Sequence, residues 1–329
     1  MGALWITFVV TFLVTLYITP YWIKKAHFAN LVGKDIHKTK PTKVAEMGGI
    51  TVILGFISGI LVYIATRIFF FNTNTQITYL LAILTAILIA SIIGLIDDIL
   101  GWKIGLKQWQ KPLLTLFVAA PIMVVNAGTK IITLPFLGKF NLGLIYPLII
   151  IPILILIGTN GFNMLAGYNG LEAGQGIIIL STLAYLSYIT NSPWLTVVSL
   201  CMVFSLAAFW LYNKFPAKIF PGDTLTYTVG ALAAIISILG NFERAFLVLF
   251  IPYIFEFVLK LGGRFKKESF SKVTPQQTLV PRYKKSYGLE HLAVKLLNKL
   301  NLKTTERKVV YSLHIFQLLF VAFTIFLYG

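Results

Sequence analysis

Long apolar runs separated by short polar stretches follow one another along the whole sequence. A run of roughly 17–25 apolar residues is long enough to cross the hydrocarbon core of a bilayer as a helix. Ten such runs are predicted to span a membrane: residues 3–23, 48–70, 77–96, 109–126, 143–159, 174–190, 194–212, 223–240, 244–262 and 309–328. The pattern predicts an all-α, polytopic membrane protein in which residues 1–329 form a single domain.

The composition agrees with this pattern. Hydrophobic residues make up 57% of the 329 residues, charged residues only 12%, and the mean hydropathy is +0.84. Soluble domains carry about 25% charged residues, so no large soluble domain is expected between the apolar runs. The one cysteine, Cys201, lies inside such a run, which excludes an intrachain disulfide.

The basic residues are distributed unevenly between the two sides of the predicted membrane. The stretches 24–47, 97–111, 160–173, 213–222 and 263–308 hold 23 of the 28 Lys and Arg residues, and all five lie on one side. Cytoplasmic loops are rich in Lys and Arg. These five loops are therefore predicted to be cytoplasmic, with both termini extracytoplasmic. This topology, with anionic lipids or substrates, accounts for the net charge of +17 without nucleic acid.

The opposite side is expected to be simpler. Segment 128–142 alternates polar and apolar residues and is rich in β-branched and aromatic side chains, which predicts a short external β-hairpin.

Four polar clusters fall on the predicted cytoplasmic side: Asp97-Asp98, the run 160–175, Gly222-Asp223-Thr224 and the basic stretch 262–308. Acids and amides are costly near lipid and usually mark function. Their convergence predicts an active site at the cytoplasmic face.

Asp97 and Asp98 end the third apolar run. Because adjacent helical side chains point about 100° apart, one carboxylate can face a metal or phosphate while the other faces a lysine. The alternative, two solvated acids at a helix C-terminus, is opposed by the helix dipole. Lys103, Lys107 and Lys111 follow at four-residue spacing and would share a face if this stretch were helical. They are either phosphate contacts or ordinary loop charge.

The run 160–175 contains four glycines and three asparagines, which predicts a ligand-binding loop where backbone approaches the ligand and amides supply hydrogen bonds. Asp223 is either the N-cap of the eighth apolar run or a metal ligand. Phe220 either stacks on a planar base or is an aromatic residue at the membrane edge. Glu256 and Lys260 form either an i,i+4 ion pair or part of a lipid-access groove.

Three motifs, GLIDDILGWKIGLK, FNMLAGYNGLEAGQ and FPGDTLTY, resemble those of the polyprenyl-phosphate N-acetylhexosamine-1-phosphate transferases, and within that family the archaeal and eukaryotic branch. The first cytoplasmic loop, with DIHK and EMGG, also fits. The resemblance covers about residues 33 to 260 and agrees with the ten-helix topology.

The resemblance implies transfer of N-acetylglucosamine 1-phosphate from its UDP-sugar to a polyprenyl or dolichyl phosphate, an early membrane step of glycan assembly that releases UMP. It implies Mg²⁺, with Mn²⁺ able to substitute, and a possible homodimer in an archaeal cell membrane. The residue roles that it implies are these: metal ligands Asn163 and Asp223; catalytic residues Asp97, Asp98 and Lys107; substrate-binding residues Lys38, Glu46, Asn169, Glu172, Phe220 and Arg282.

One loop departs from the family pattern. The eukaryotic members carry an Arg/His/Arg run before an Ile-Pro, and bacterial members carry histidines, whereas in segment 274–282 only Pro281 and Arg282 match. A different UDP-N-acetylhexosamine therefore stays open as the donor. Arg282, Lys284 or Lys285 is expected to take over a diphosphate contact. A ten-helix transporter is the rival class, but transporters place coupling residues near the midplane and show repeat symmetry.

Overall fold

The computed structural model describes residues 2–134 and 138–328, and these residues are mostly helical, with three two-stranded sheets. In chain order the helices are α1 Gly2–Phe28, α2 Gly49–Phe69, α3 Ile77–Ile104, α4 Gln110–Thr115, α5 Ala120–Val124, α6 Ile151–Met164, α7 Leu171–Ile189, α8 Pro193–Asn213, α9 Gly222–Gly240, α10 Glu243–Leu249, α11 Ile251–Gly262, α12 Leu289–Lys299 and α13 Glu306–Tyr328. A 3₁₀ turn, Leu116–Ala119, joins α4 to α5, and a π-helical turn, Tyr146–Ile150, leads into α6.

Seven helices in the described part of the chain are long and apolar enough to cross a membrane, and an eighth span results if the bent pair α10–α11 counts as one. The predicted class, a helical membrane protein with many spans, is confirmed. Two of the ten predicted spans, 109–126 and 174–190, are not among these membrane-spanning helices. The span 109–126 is divided into α4, the 3₁₀ turn and α5. Helix α7 opens with the polar residues Glu172 and Gln175. The exact number of spans and the side of each terminus stay predictions.

Helix α9 lies at the centre of the bundle. It packs against α3 and α6, and also against α2 and α7, and most of its residues are buried inside the protein. Its backbone meets that of α6 at Gly158 and Gly230, where a Cβ on either glycine would overlap the carbonyl of the other. Small residues let two membrane helices approach this closely. The close packing fixes the position of Asp223 at the start of α9.

Two hairpins shape the ends of the bundle. Strands β1 Val32–Asp35 and β2 Thr42–Ala45 pair antiparallel, and Ala45 forms a parallel bridge with Ile219. The Phe220 N–H donates to the Ala45 carbonyl (2.7 Å), and the Gly48 N–H donates to the Phe220 carbonyl (2.9 Å). These bonds hold the first polar loop against the start of α9.

The predicted hairpin of segment 128–142 is also present as an antiparallel pair, β3 Ile131–Leu134 with β4 Gly138–Asn141. Its tip, residues 135–137, lies outside the described residues, and its external position stays a prediction. A third pair, β5 Lys272–Val273 with β6 Leu279–Val280, lies in the long basic segment before α12.

We expect Gly230→Ala to lower the stability of the bundle by about 1–3 kcal/mol, because the new methyl group meets rigid backbone of α6 and forces the helices apart. Gly262→Ala is the matched control, since a Cβ there meets nothing within 4 Å. The midpoint of thermal unfolding in detergent measures both. Equal midpoints for the two variants would contradict this account of the α6–α9 contact.

Candidate active site

The helix that carries the acidic pair ends a few residues after it. Helix α3 is broken at Gly101, whose φ of 68° and ψ of 172° are not helical, and residues 105–109 are not helical either. The Asp97 carboxylate holds this connection, because its Oδ1 accepts a hydrogen bond from the Leu106 N–H (2.6 Å). The lysines that follow therefore do not share one helical face. Lys107 is exposed, Lys111 belongs to the separate helix α4, and the side chain of Lys103 lies outside the described residues.

Asp98 holds the start of α9. Its carboxylate accepts hydrogen bonds from the backbone N–H of Asp223 (2.7 Å), the N–H of Thr224 (3.0 Å) and the Thr224 hydroxyl (2.6 Å). The first N–H groups of a helix have no partner within the helix and favour negative charge nearby. The N-cap position itself is Pro221. The N-cap alternative for Asp223 is therefore not observed, and its own carboxylate is directed elsewhere.

Lys111 joins the two remaining carboxylates. Its Nζ lies 2.5 Å from Asp97 Oδ2 and 3.0 Å from Asp223 Oδ2. The three side chains come from α4, α3 and α9, which are far apart in sequence. The family resemblance assigned the lysine role to Lys107, whereas Lys111 was named only as either a phosphate contact or ordinary loop charge. The four-residue spacing was the available signal, and the non-helical residues 105–109 between α3 and α4 made it uninformative.

A cavity of about 290 Å³ opens over this triad. Its lining includes five residues that the sequence singled out: Glu46, Asp97, Asp98, Phe220 and Asp223. Lys111 also lines it. Burial, together with the nearby charge of Asp98, raises the pKa of Glu46 above its ordinary value. The cavity therefore combines one cation, several carboxylates and one aromatic face.

Asn163 lies on the last turn of α6, outside the lining of this cavity. The Tyr227 side chain lies near both Asn163 and Asp223. The end of α6 is held by Lys260, whose ammonium donates a hydrogen bond to the Met164 carbonyl. Lys260 also pairs with Glu256 at 3.2 Å, so the i,i+4 ion pair is observed. The hydrogen bond from Lys260 to Met164 places a positive charge at the C-terminus of α6, where the helix dipole favours it.

The carboxylate oxygens around Lys111 are the kind of ligand that a hard divalent cation prefers. Oxygens of Asp97 and Asp223 already converge on one positive charge, and Mg²⁺ is usually bound by one or two carboxylates plus phosphate oxygens and water. Within the described residues, no cluster of three or more His, Cys, Asp or Glu side chains forms a closed metal site. An open site of this kind needs substrate oxygens or an amide such as that of Asn163 to complete its coordination.

A second group of predicted residues holds the loop that follows α6. Glu172 is 4% exposed, and its Oε1 accepts from the Gly167 N–H (2.7 Å). The Asn169 N–H donates to Glu306 Oε1 (2.8 Å), and the Asn169 side-chain amide donates to Asp35 Oδ2 (3.1 Å). Lys38 pairs with the same Asp35 oxygen at 2.7 Å. These contacts fix the shape of the loop but lie outside the lining of the 290 Å³ cavity.

Two predicted residues do not join either group. Arg282 pairs with Glu268 at 2.6 Å and lies over the Tyr283 ring. The Lys107 side chain is exposed, and its backbone N–H donates to the Gln110 side chain (2.8 Å). Neither lines the 290 Å³ cavity. Their roles as substrate and catalytic contacts stay predictions.

Comparison with known proteins agrees with the motifs that build this site. The family model described as glycosyl transferase family 4 matches residues 80–241, which include α3, α6 and α9 with their polar ends. A protein of Saccharolobus solfataricus, provisionally named UDP-N-acetylglucosamine–dolichyl-phosphate N-acetylglucosaminephosphotransferase, is 40% identical over 283 residues, 85% of this chain and 84% of its own. The chain therefore belongs to the family of this relative, the sugar-phosphate transferases of glycosyl transferase family 4.

More distant members show how broad the family is. The Dictyostelium discoideum UDP-N-acetylglucosamine–dolichyl-phosphate N-acetylglucosaminephosphotransferase is 27% identical and covers 88% of this chain and 79% of its own. The Streptococcus mutans phospho-N-acetylmuramoyl-pentapeptide-transferase is 30% identical and covers 75% of this chain and 76% of its own. The family predicted from the three motifs, the polyprenyl-phosphate N-acetylhexosamine-1-phosphate transferases, is confirmed.

In this family member we expect Asp98 and Asp223 to respond differently to truncation. Asp98→Ala leaves three donors at the start of α9 without their acceptor and should lower stability by about 2 kcal/mol. Asp223→Ala removes only a partly exposed ion pair with Lys111 and should cost less than about 1 kcal/mol. Thermal unfolding in detergent measures both, and a larger loss for Asp223→Ala would contradict the anchoring role of Asp98.

Proposed function

We propose that the protein transfers N-acetylhexosamine 1-phosphate, specifically N-acetylglucosamine 1-phosphate, from its UDP-sugar to a polyprenyl or dolichyl phosphate. The products are UMP and a lipid-linked diphosphate sugar. The observation that carries this proposal is the Asp97–Lys111–Asp223 cluster, placed at the ends of apolar helices in a member of this family. The names of its relatives support the same donor and acceptor.

The reaction joins two anions. An oxygen of the lipid phosphate attacks the phosphorus that carries the sugar, and the bond from that phosphorus to the bridging oxygen of UMP breaks. That oxygen leaves with the electron pair as part of UMP. The attacking phosphate is already ionised near neutral pH, so no proton must be removed first. The protein must instead bring the two anions together and offset their charge, as positioned cations do in phosphoryl transfer.

Lys111 is suited to that task. Its ammonium lies at the floor of the cavity, and its two carboxylate partners hold it there with little freedom. A lysine in this position acts as a point charge toward phosphate oxygens. We therefore transfer to Lys111 the role that the motif comparison gave to Lys107. Asp98 acts on the reaction by holding α9 and Asp223 in place.

Asp97 and Asp223, with Asn163 beside them, are the residues that would hold Mg²⁺, or Mn²⁺ in its place. The bound ion would neutralise charge on the diphosphate. Both carboxylates also contact Lys111 and would share their oxygens between the ion and the ammonium.

The remaining residues would position the substrate. Phe220 and Glu46 line the same cavity as the triad, and we assign the uracil to the Phe220 face. Asn169 and Lys38 belong to the neighbouring loop network and would complete the uridine contacts. Glu172 positions that loop from within. Arg282 would reach the diphosphate only after its ion pair with Glu268 breaks.

The proposed topology has ten spans, both termini outside and the active site in the cytoplasm of an archaeal cell. The 23 Lys and Arg residues of the five alternate loops support it. The α4–α5 segment and α7 would supply the two spans that are shorter or more polar than the others. A homodimer is an expectation from the family.

The test of this function is release of UMP from a panel of UDP-N-acetylhexosamines, with a short polyprenyl phosphate as acceptor. We expect UMP with UDP-N-acetylglucosamine, dependence on Mg²⁺ or Mn²⁺, and less than a tenth of the rate for Asp223→Ala, a loss above about 1.4 kcal/mol. Preference for another donor would correct the sugar alone. No UMP from any donor would favour a transporter instead.

Replacing Lys111 and Lys107 in turn tests whether the position in the cavity or the match to the family motif identifies the lysine that contacts the phosphates. We expect Lys111→Met to lower kcat/KM at least tenfold, because charge on the reacting phosphates loses its fixed partner. Lys107→Met, the matched control, should change kcat/KM less than twofold, since its side chain is exposed outside the cavity. The reverse order of effects would restore the role to Lys107.

A further inference from the structure

A second cavity lies between the end of α8 and the start of α13. Its volume is about 210 Å³, and its lining includes Trp210, Lys214, Phe215, Arg307 and Tyr311. It shares none of its lining residues with the cavity over Lys111. Asn169, to which a uridine contact is assigned above, also lines this cavity, but the proposed reaction makes no use of the basic and aromatic side chains there.

Two cations at this cavity lack an acidic partner. Lys214 and Arg307 make no ion pair with any carboxylate in the described part of the chain. Lys214 lies over the Trp210 ring, with Nζ 5.0 Å from the ring centre, and the Arg307 guanidinium lies 5.0 Å from the centre of the Phe215 ring. The aromatic faces hold both cations at the cavity without neutralising them. This arrangement favours an anionic ligand.

The position of the cavity indicates where that anion comes from. Lys214 directly follows the last residue of α8, and Arg307 is the second residue of α13. Both helices are long and apolar enough to span a membrane. Residues just beyond the ends of such helices lie at the depth of the lipid phosphates, where basic side chains attract anionic headgroups.

An apolar stripe leads away from the cavity along α13. Tyr311, Ile315 and Leu318 are 54%, 61% and 48% exposed, and their spacing of four and three residues places them on one face of the helix. This face can accompany a hydrocarbon chain into the bilayer. A free phosphate or a nucleotide would use the cations but would leave the stripe unused.

We propose that this cavity binds the phosphate group of an anionic membrane lipid, with Lys214 and Arg307 as the phosphate contacts and the α13 stripe along the chain. The bound molecule is a resident lipid, distinct from the lipid phosphate that serves as acceptor. The proposal depends on membrane insertion but not on the proposed reaction.

Native mass spectrometry of the purified full-length protein tests this site, with phosphatidylglycerol as the anionic probe and phosphatidylcholine as the neutral one. We expect one phosphatidylglycerol to bind at least tenfold more tightly than phosphatidylcholine. The double variant K214Q/R307Q should lose that preference. The control K218Q/K308Q removes the same charge from exposed neighbours outside the cavity and should keep it. Thermal unfolding establishes that each variant is folded.

Three results would overturn the assignment. One is equal affinity of the wild-type chain for both lipids, which is measured without any variant. Another is an equal effect of the K214Q/R307Q and K218Q/K308Q pairs, which would mean general surface charge. The third is displacement of phosphatidylglycerol by inorganic phosphate or UMP at comparable concentration, which would assign the cavity to a soluble phosphate. If the double variant does not fold, K214Q and R307Q are compared singly with K218Q.

Discussion

The contact of the Lys111 ammonium with Asp97 and Asp223 is the interaction on which the arrangement of the site depends. Three aspartates line one cavity at the end of a bundle that is otherwise apolar. Their like charges repel strongly where little water screens them. A single lysine between two of them makes the grouping tolerable. It also links three helices from different parts of the chain, so the same contact that balances charge also fixes geometry.

The acidic pair shows how two adjacent and chemically identical residues acquire different tasks. Asp98 accepts three hydrogen bonds from the start of α9 and so anchors that helix. Asp97 uses one oxygen to close the turn to Leu106 and directs the other at the ammonium. The difference follows from the roughly 100° between consecutive side chains on α3 and from the elements packed on each side.

The loop after α6 is held by residues of other segments. It forms hydrogen bonds with Asp35 near the N-terminus and with Glu306 at the start of the last helix, and Glu172 at the start of α7 accepts a bond from its backbone. These carboxylates are buried, and each accepts a backbone or amide N–H, which is how buried acids are usually accommodated. The loop that carries Asn169 is thus set by residues more than 130 positions away from it in sequence.

Local information was sufficient for the membrane class, the positions of most long helices, the hairpin of segment 128–142 and the family, because hydropathy and short motifs depend only on neighbouring residues. It also named five residues that the fold brings into one cavity, among them Asp223 and Phe220. Only the tertiary structure decided that Lys111 rather than Lys107 lies with the acids. The reason is that the helix is broken at Gly101 and ends at Ile104, so Lys107 lies in a non-helical connection and Lys111 in α4, which no count of helical spacing takes into account.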